Sequence, residues 1–222
     1  MDRKWPLVLA LLLAIGLAIR ATTPPAPVSA GSQPADFSAE RAMADVRAIS
    51  AGPHITATPE NAQVRDYLAN RMRALGMTVS TEQGTVDARG TEKRNRWTGR
   101  NDPPAALTNV IGVLPGQDPA APAVLLMAHH DTVWGSPGAA DDSAGVASAL
   151  EVVRAVKARG GQRRDLIVLL TDAEELGLQG ARQFFAANPL RARVGAVINM
   201  EARGGGGRTT LFQTSRENGA AV

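Results

Sequence analysis

Hydrophobic and polar positions change rhythm several times along the chain. The N-terminal stretch WPLVLALLLAIGLAI (5–19) is unbroken apolar sequence, preceded by Arg3 and Lys4 and closed by Arg20. As a helix this run reaches about 22 Å, short of the ~30 Å hydrocarbon core of a bilayer. It reads as a membrane anchor or as a cleavable signal segment, with VSA (28–30) as a candidate cleavage site. Positive charge ahead of the run keeps the N-terminus in the cytosol, so either reading puts the rest of the chain outside the cytoplasm. ATTPPAPVSAGSQPAD (21–36) is rich in Pro, Ala and Ser and reads as a linker.

From Phe37 the apolar residues recur at helical spacing, and SAERAMADVRAIS (38–50) predicts a helix. A second helix starts at the N-cap residue Thr58 with Pro59 in its first turn. It carries Val64, Tyr67, Leu68, Met72 and Leu75 on one face and meets Gly76 at its end. MTVSTEQGTV (77–86) predicts a strand. Residues 88–105, with Lys93, Arg94, Arg96 and Arg100 around Trp97, read as a polar, solvated excursion. TNVIGVLPG (108–116) predicts a strand ending in a turn.

Alternation then becomes regular. Strands are expected at AVLLMAHH (123–130), RDLIVLLTD (164–172) and VGAVINME (194–201), with a last one at RTTLFQTS (208–215). Helices are expected at DSAGVASALEVVRAVKARG (142–160) and EELGLQGARQFFAANP (174–189). Strands apolar on both faces, each followed by a helix, predict an α/β fold with a mainly parallel central sheet flanked by helices on both faces.

The chain's 222 residues, 44% of them hydrophobic and 4% aromatic, suit one medium-sized domain over 37–222 with a real core. A formal net charge of +3 is too mild to point to a nucleic-acid partner. With no cysteine, disulfides, thiolate metal sites and a cysteine nucleophile are excluded, and any metal must be held by His, Asp and Glu.

Ligands and catalytic groups of such sheets gather beyond the carboxyl ends of the strands. His129, His130 and Asp131 end one strand, and Asp141 and Asp142 lie in the loop that follows. Glu174 and Glu175 come after the next strand, at the expected start of its helix, and Glu201 ends the one after that. Side chains alternate along a strand, so His129 and Asp131 share a direction while His130 faces away. His129 as a ligand with Asp131 as its orienter meets the need of a ligating imidazole for a partner on its other nitrogen. Asp142 is expected to cap the following helix, leaving Asp141 to bridge metals. So many negative charges in one place require protons or cations to neutralise them.

AHHDTVWGSPGAADDSAG (128–145), TDAEELGLQGA (171–181) and NMEARG (199–204) together resemble the M28 zinc peptidases, aminopeptidases with two adjacent metals. INMEARGGGG and LFQTS are most similar to the membrane-anchored branch, which includes vacuolar and endoplasmic-reticulum metallopeptidases. The resemblance runs from about residue 39 onward and covers 88–105 poorly. It implies a three-layer α/β/α exopeptidase fold, a peptide substrate and two Zn2+ ions. His129 and Glu201 would bind one zinc, Glu175 the other, with Asp141 bridging, Glu174 as general base and Asp131 orienting His129. Glu201 stands where many relatives carry an aspartate. His54 falls in a segment this branch also has and is not expected to be a ligand.

The family's second zinc takes a further histidine downstream, and none follows His130 before the chain stops at Val222. A truncated protein with an incomplete second site and an incomplete fold is therefore expected. Trp134 and the SPG turn are candidates for lining the substrate pocket. The resulting expectation is peptide-bond hydrolysis of aminopeptidase type by a two-metal-bound hydroxide. Alternatives are a carboxypeptidase- or deacylase-type cocatalytic zinc hydrolase and an inactive receptor or scaffold ectodomain. A serine hydrolase is disfavoured because no G-x-S-x-G elbow occurs.

Overall fold

The computed structural model describes residues 4–202, 206–211 and 213–214. The chain divides into two compact units, Val28–Gly204 and Met1–Pro27 with Gly205–Val222.

In the smaller unit the apolar run forms α1 (Trp5–Thr22), with Pro6 in its first turn and no buried side chain. The helix continues past Arg20, because Thr22 and Thr23 turn their hydroxyls back onto the carbonyls of Ala18 and Ile19. Its 18 residues measure about 27 Å, and it is long and apolar enough to cross a membrane by length and composition. RTTLFQTS forms no strand over its described residues; Phe212 and Ser215 lie outside them.

The larger unit is built on a five-stranded sheet in the order β1-β2-β4-β3-β5. The strands are β1 (Thr78–Thr85), β2 (Ala106–Leu114), β3 (Ala123–His129), β4 (Leu166–Thr171) and β5 (Val194–Asn199). β3 pairs in parallel with β4 and β5, while β2 is antiparallel to β1 and β4. The sheet is thus mixed, with β2 alone running against the common direction.

Helices α2 (Ala39–Ile49), α3 (Pro59–Ala74), α4 (Ala88–Thr98), α5 (Ala144–Ala158) and α6 (Gln179–Ala187) surround it. Alternate residues of each central strand serve opposite layers, as the pleat demands. Leu126, Val168 and Leu170 pack with Leu68 and Met72 of α3 and with Val146, Leu150 and Val153 of α5. Leu125, Ile167 and Leu169 pack on the other face with Phe184 of α6. Ser38 and Thr58 cap α2 and α3 by accepting the N–H groups of Arg41 and Asn61, both at 3.2 Å.

Three segments of the larger unit also differ from the sequence reading. Residues 88–98 are a helix rather than an excursion: Asp87 caps it through Gly90 N–H at 2.8 Å, and Gly99 closes it at φ +66. It buries only Gly90 and Thr91, so it shows no apolar stripe. Glu174 and Glu175 sit in a turn, not in a helix, because Ala173 (φ 57) and Leu178 (φ 60) are left-handed and α6 starts only at Gln179. The expected linker 21–36 is not free over its second half. Arg41 donates to the carbonyls of Ala30, Ser32 and Asp36, Arg154 to those of Pro34 and Asp36, and Arg159 to that of Ala35. Arg41 and Arg154 also pair with buried Glu151, so residues 28–36 form a strap fastened to α2 and α5.

Candidate metal centre

The carboxyl end of β3 delivers His129, whose ring is almost fully buried. Its Nε2 lies 2.9 Å from Asp141 Oδ1, 3.9 Å from Glu201 Oε1 and 4.0 Å from Glu174 Oε2. On the other side of the ring, Nδ1–H donates to the Asp131 carbonyl at 3.0 Å, with the Asp131 carboxylate 3.5 Å away. That bond turns Nε2 toward the acids. Donor atoms of His129, Asp141 and Glu201 lie within 4.8 Å of one another, and so do those of His129, Glu174 and Glu175.

Asp131 is a junction as well as a neighbour of the ring. Its Oδ1 accepts the Glu174 N–H at 3.0 Å and its Oδ2 the Glu175 N–H at 3.2 Å. The carboxylate's hydrogen bonds go to the backbone of the glutamate pair and, at 3.4 Å, to the Thr56 hydroxyl, while the ring Nδ1–H goes to the Asp131 carbonyl. Asp142 makes the expected capping contact, accepting Gly145 N–H at 3.1 Å, and also accepts the His129 N–H at 3.2 Å. A Cβ at position 145 would lie 2.3 Å from Asp142 Oδ1, so only glycine permits this close approach.

His130 points elsewhere, with Nε2 donating to the Thr108 carbonyl at 3.1 Å and Nδ1 accepting from Asn61 at 3.4 Å. His54 donates from Nδ1 to the Gly52 carbonyl at 2.8 Å and takes no part in the acid cluster among the described residues. Trp134 is 55% exposed in the loop after Asp131. Sequence reasoning missed Asp172, which is buried beneath the glutamate turn. It accepts the Thr108 and Ala173 N–H groups, both at 2.8 Å, and the Thr56 hydroxyl at 2.9 Å. It also missed Lys93, whose Nζ donates to the Glu175 carbonyl. The capping pair Asp87 and Gly99 was the signal that could have placed Lys93 on a helix.

The cluster is short of positive charge. Burial pushes the Glu175 carboxyl up to about 7, reinforced by the charge of Asp141. Burial also raises Glu174; His129 pulls against it, while Asp131, Glu201 and Asp141 add to it. Asp142 is pushed up to about 8 by burial, with His129 opposing and Glu201 adding. Burial alone would strip the proton from His129, but the carboxylates of Asp131 and Asp141 outweigh it and hold the imidazole up at about 12. One imidazole facing this many carboxylates, with Glu174, Glu175 and Asp142 raised, fits a divalent cation that would offset their mutual repulsion, and the N/O donor set suits zinc.

The same arrangement of strands and helices occurs in a zinc aminopeptidase from Bacillus subtilis, BSAP. It superposes with a TM-score of 0.62 at 16% identity, over 75% of this chain and 69% of its own, a likeness of fold. Residues 109–222 match peptidase family M28, and the chain belongs to that family. It is 34% identical over 185 residues to the vacuolar membrane protease of Schizosaccharomyces pombe, covering 81% of this chain and 21% of that protein. Endoplasmic reticulum metallopeptidase 1 of Rattus norvegicus is 42% identical over 113 residues, 50% of this chain and 13% of that one. The chain thus spans about a fifth or less of the length of these relatives.

Proposed function

We propose that this chain carries the catalytic unit of a membrane-anchored metallopeptidase that removes N-terminal residues from peptides. Zinc would be held by His129, Asp141 and Glu201, with Glu174 as the general base. Asp141 and Glu175 would hold a second zinc, and Asp131 orients His129. The observation that supports this most directly is the convergence of three carboxylates within 4.0 Å of one buried imidazole nitrogen. Membership of family M28 and the names of the relatives support the reaction class.

Zinc in this position supplies Lewis-acid polarisation of the scissile carbonyl and lowers the pKa of water. Glu174, partly buried with its carboxyl raised, takes a proton from the attacking water at Oε2 and returns it to the departing amine. Asp131 holds the Glu174 backbone and flanks the His129 ring, which keeps base and ligand in register. The excess of carboxylates draws in a substrate's free α-ammonium group, favouring the first peptide bond over internal ones. α1 is the anchor, and Arg3 and Lys4 before it place the catalytic unit outside the cytoplasm.

Zinc content of the purified chain and of His129→Ala, measured by atomic absorption, tests the centre. Zinc is expected to be lost in the variant, and equal content in both refutes the ligand assignment. Aminoacyl amides, N-acylated peptides and C-terminally free peptides test the substrate class. A preference for either of the last two over free amino termini replaces aminopeptidase with a deacylase or carboxypeptidase.

A further inference from the structure

We propose that Lys93 is a positioning residue for the Glu174–Glu175 peptide, and that α4 is a clamp holding the general base and its neighbour at the metal centre. This inference rests on the reading of that centre given above. Buried or half-buried backbone groups need partners, so those of the glutamate pair can be followed one by one. The Glu174 and Glu175 N–H groups go to Asp131. The Glu174 carbonyl accepts from Gly177 at 2.7 Å and Leu178 at 2.8 Å. The Glu175 carbonyl takes the Lys93 ammonium. Because Ala173 and Leu178 are left-handed, the turn is not helical and offers that carbonyl no backbone donor among the described residues. Three of the four groups are held by the sheet edge or by the turn itself, and the fourth is held from α4 alone.

α4 is itself seated on the same turn. The Lys93 ammonium lies 5.0 Å from the centre of the Trp97 ring, a distance at which the ring's negative face attracts it. Trp97 packs against the cluster of Val86, Ala105, Leu107, Ala173 and Leu176, which brackets the glutamate pair. Gly90 approaches so closely that a Cβ would stand 2.9 Å from the Leu176 carbonyl and 2.6 Å from Val86. The helix therefore meets the turn at Leu176, just after the two acids, and packs against the cluster that holds Ala173 just before them.

Zinc titration calorimetry on the full chain in detergent, with Lys93→Met, Lys93→Arg and His129→Ala, tests the clamp. Lys93→Met keeps the side-chain stem but removes the donor. It is expected to weaken about 10–100-fold the binding step of the zinc that Glu175 would hold, the range seen when a residue behind a metal ligand is lost. The metal-free protein should melt within about 4 °C of wild type. Lys93→Arg, which can donate and stack on Trp97, should recover most of the affinity. Unchanged affinity in Lys93→Met while His129→Ala abolishes binding overturns the clamp and leaves the metal centre standing. An affinity loss that merely follows a lowered melting temperature of the metal-free protein assigns Lys93 to folding alone and also overturns it. Zinc binding indifferent to His129→Ala overturns the metal centre itself, and the clamp with it.

Discussion

Strands β4 and β5 flank β3 and run parallel to it, yet their surroundings are opposite. Every residue of β4 is buried, whereas β5 is exposed from Gly195 to Asn199, with Ile198 at 53%. Glu174 and Glu175 follow β4, and each of their backbone N–H and carbonyl groups is bonded. Glu201 follows β5, and its carboxylate accepts only from the next residue, Ala202, at 2.8 Å among the described hydrogen bonds. Among the described bonds, the half after β4 is held at every backbone group of the glutamate pair and is the stiff half, and the half after β5 is the lightly held one. His129, on the strand between them, belongs to the stiff half through its bonds to Asp131 and Asp142.

The largest expected effect concerns chemistry on the stiff side. Glu174→Gln should retain zinc and lower turnover about 10²–10⁴-fold, measured as kcat on an aminoacyl amide. A wild-type rate removes Glu174 from the role of base. Packing should separate the two strands next. Leu169→Ala in β4 should cost about 2–5 kcal/mol in denaturant unfolding. Ile198→Ala in β5 should stay within about 0.5 kcal/mol, as exposed sites do. Comparable losses at both positions erase the contrast.

Shortening a carboxylate by one methylene sharpens it further. The pinned backbone at Glu175 cannot follow a shorter arm, so Glu175→Asp should cost about 10²-fold in turnover. Glu201→Asp should be far milder, because its segment can shift. Equal penalties imply that both halves are rigid. The smallest effect, per unit, is that of pH on zinc affinity. His129 is held at about 12, so the metal-free ring keeps its proton until zinc displaces it. Affinity should rise about tenfold per pH unit between pH 6 and 8. The rise should be steeper below about 7, where Glu175 also carries a proton. A flat profile in non-coordinating buffer refutes the protonated ring.

The edge that carries the acids was easier to read from sequence than the backbone that holds them. Apolar runs ending in H-H-D, D-D, E-E and M-E put chemistry-bearing residues at one edge of a parallel sheet, and strand alternation separated His129 from His130. The opposed direction of β2 was not legible, because a buried strand has the same apolar pattern whichever way it runs. α4 was missed because it buries Gly90 and Thr91 instead of an apolar stripe, leaving only its caps as a signal. The turn at Glu174 was missed for a different reason: E-E-L-G-L-Q-G-A favours a helix locally, and nothing in it asks for left-handed backbone at Ala173 and Leu178. The partners of that turn, Asp131 and Lys93, lie far from it in sequence. The strap over 28–36 has a linker's composition, and the arginines that fasten it stand as far away as Arg154 and Arg159.

Removal of a leader after VSA would sever the peptide bond between Ala30 and Gly31. In the folded unit the Ala30 N–H is bonded to Glu40 at 2.8 Å and its carbonyl to Arg41 at 2.7 Å, while the Val28 carbonyl receives the Ser38 hydroxyl at 2.8 Å. A leader peptidase needs this stretch extended and unclaimed in its own cleft. Trimming there would therefore require the bonds of this strap to be open.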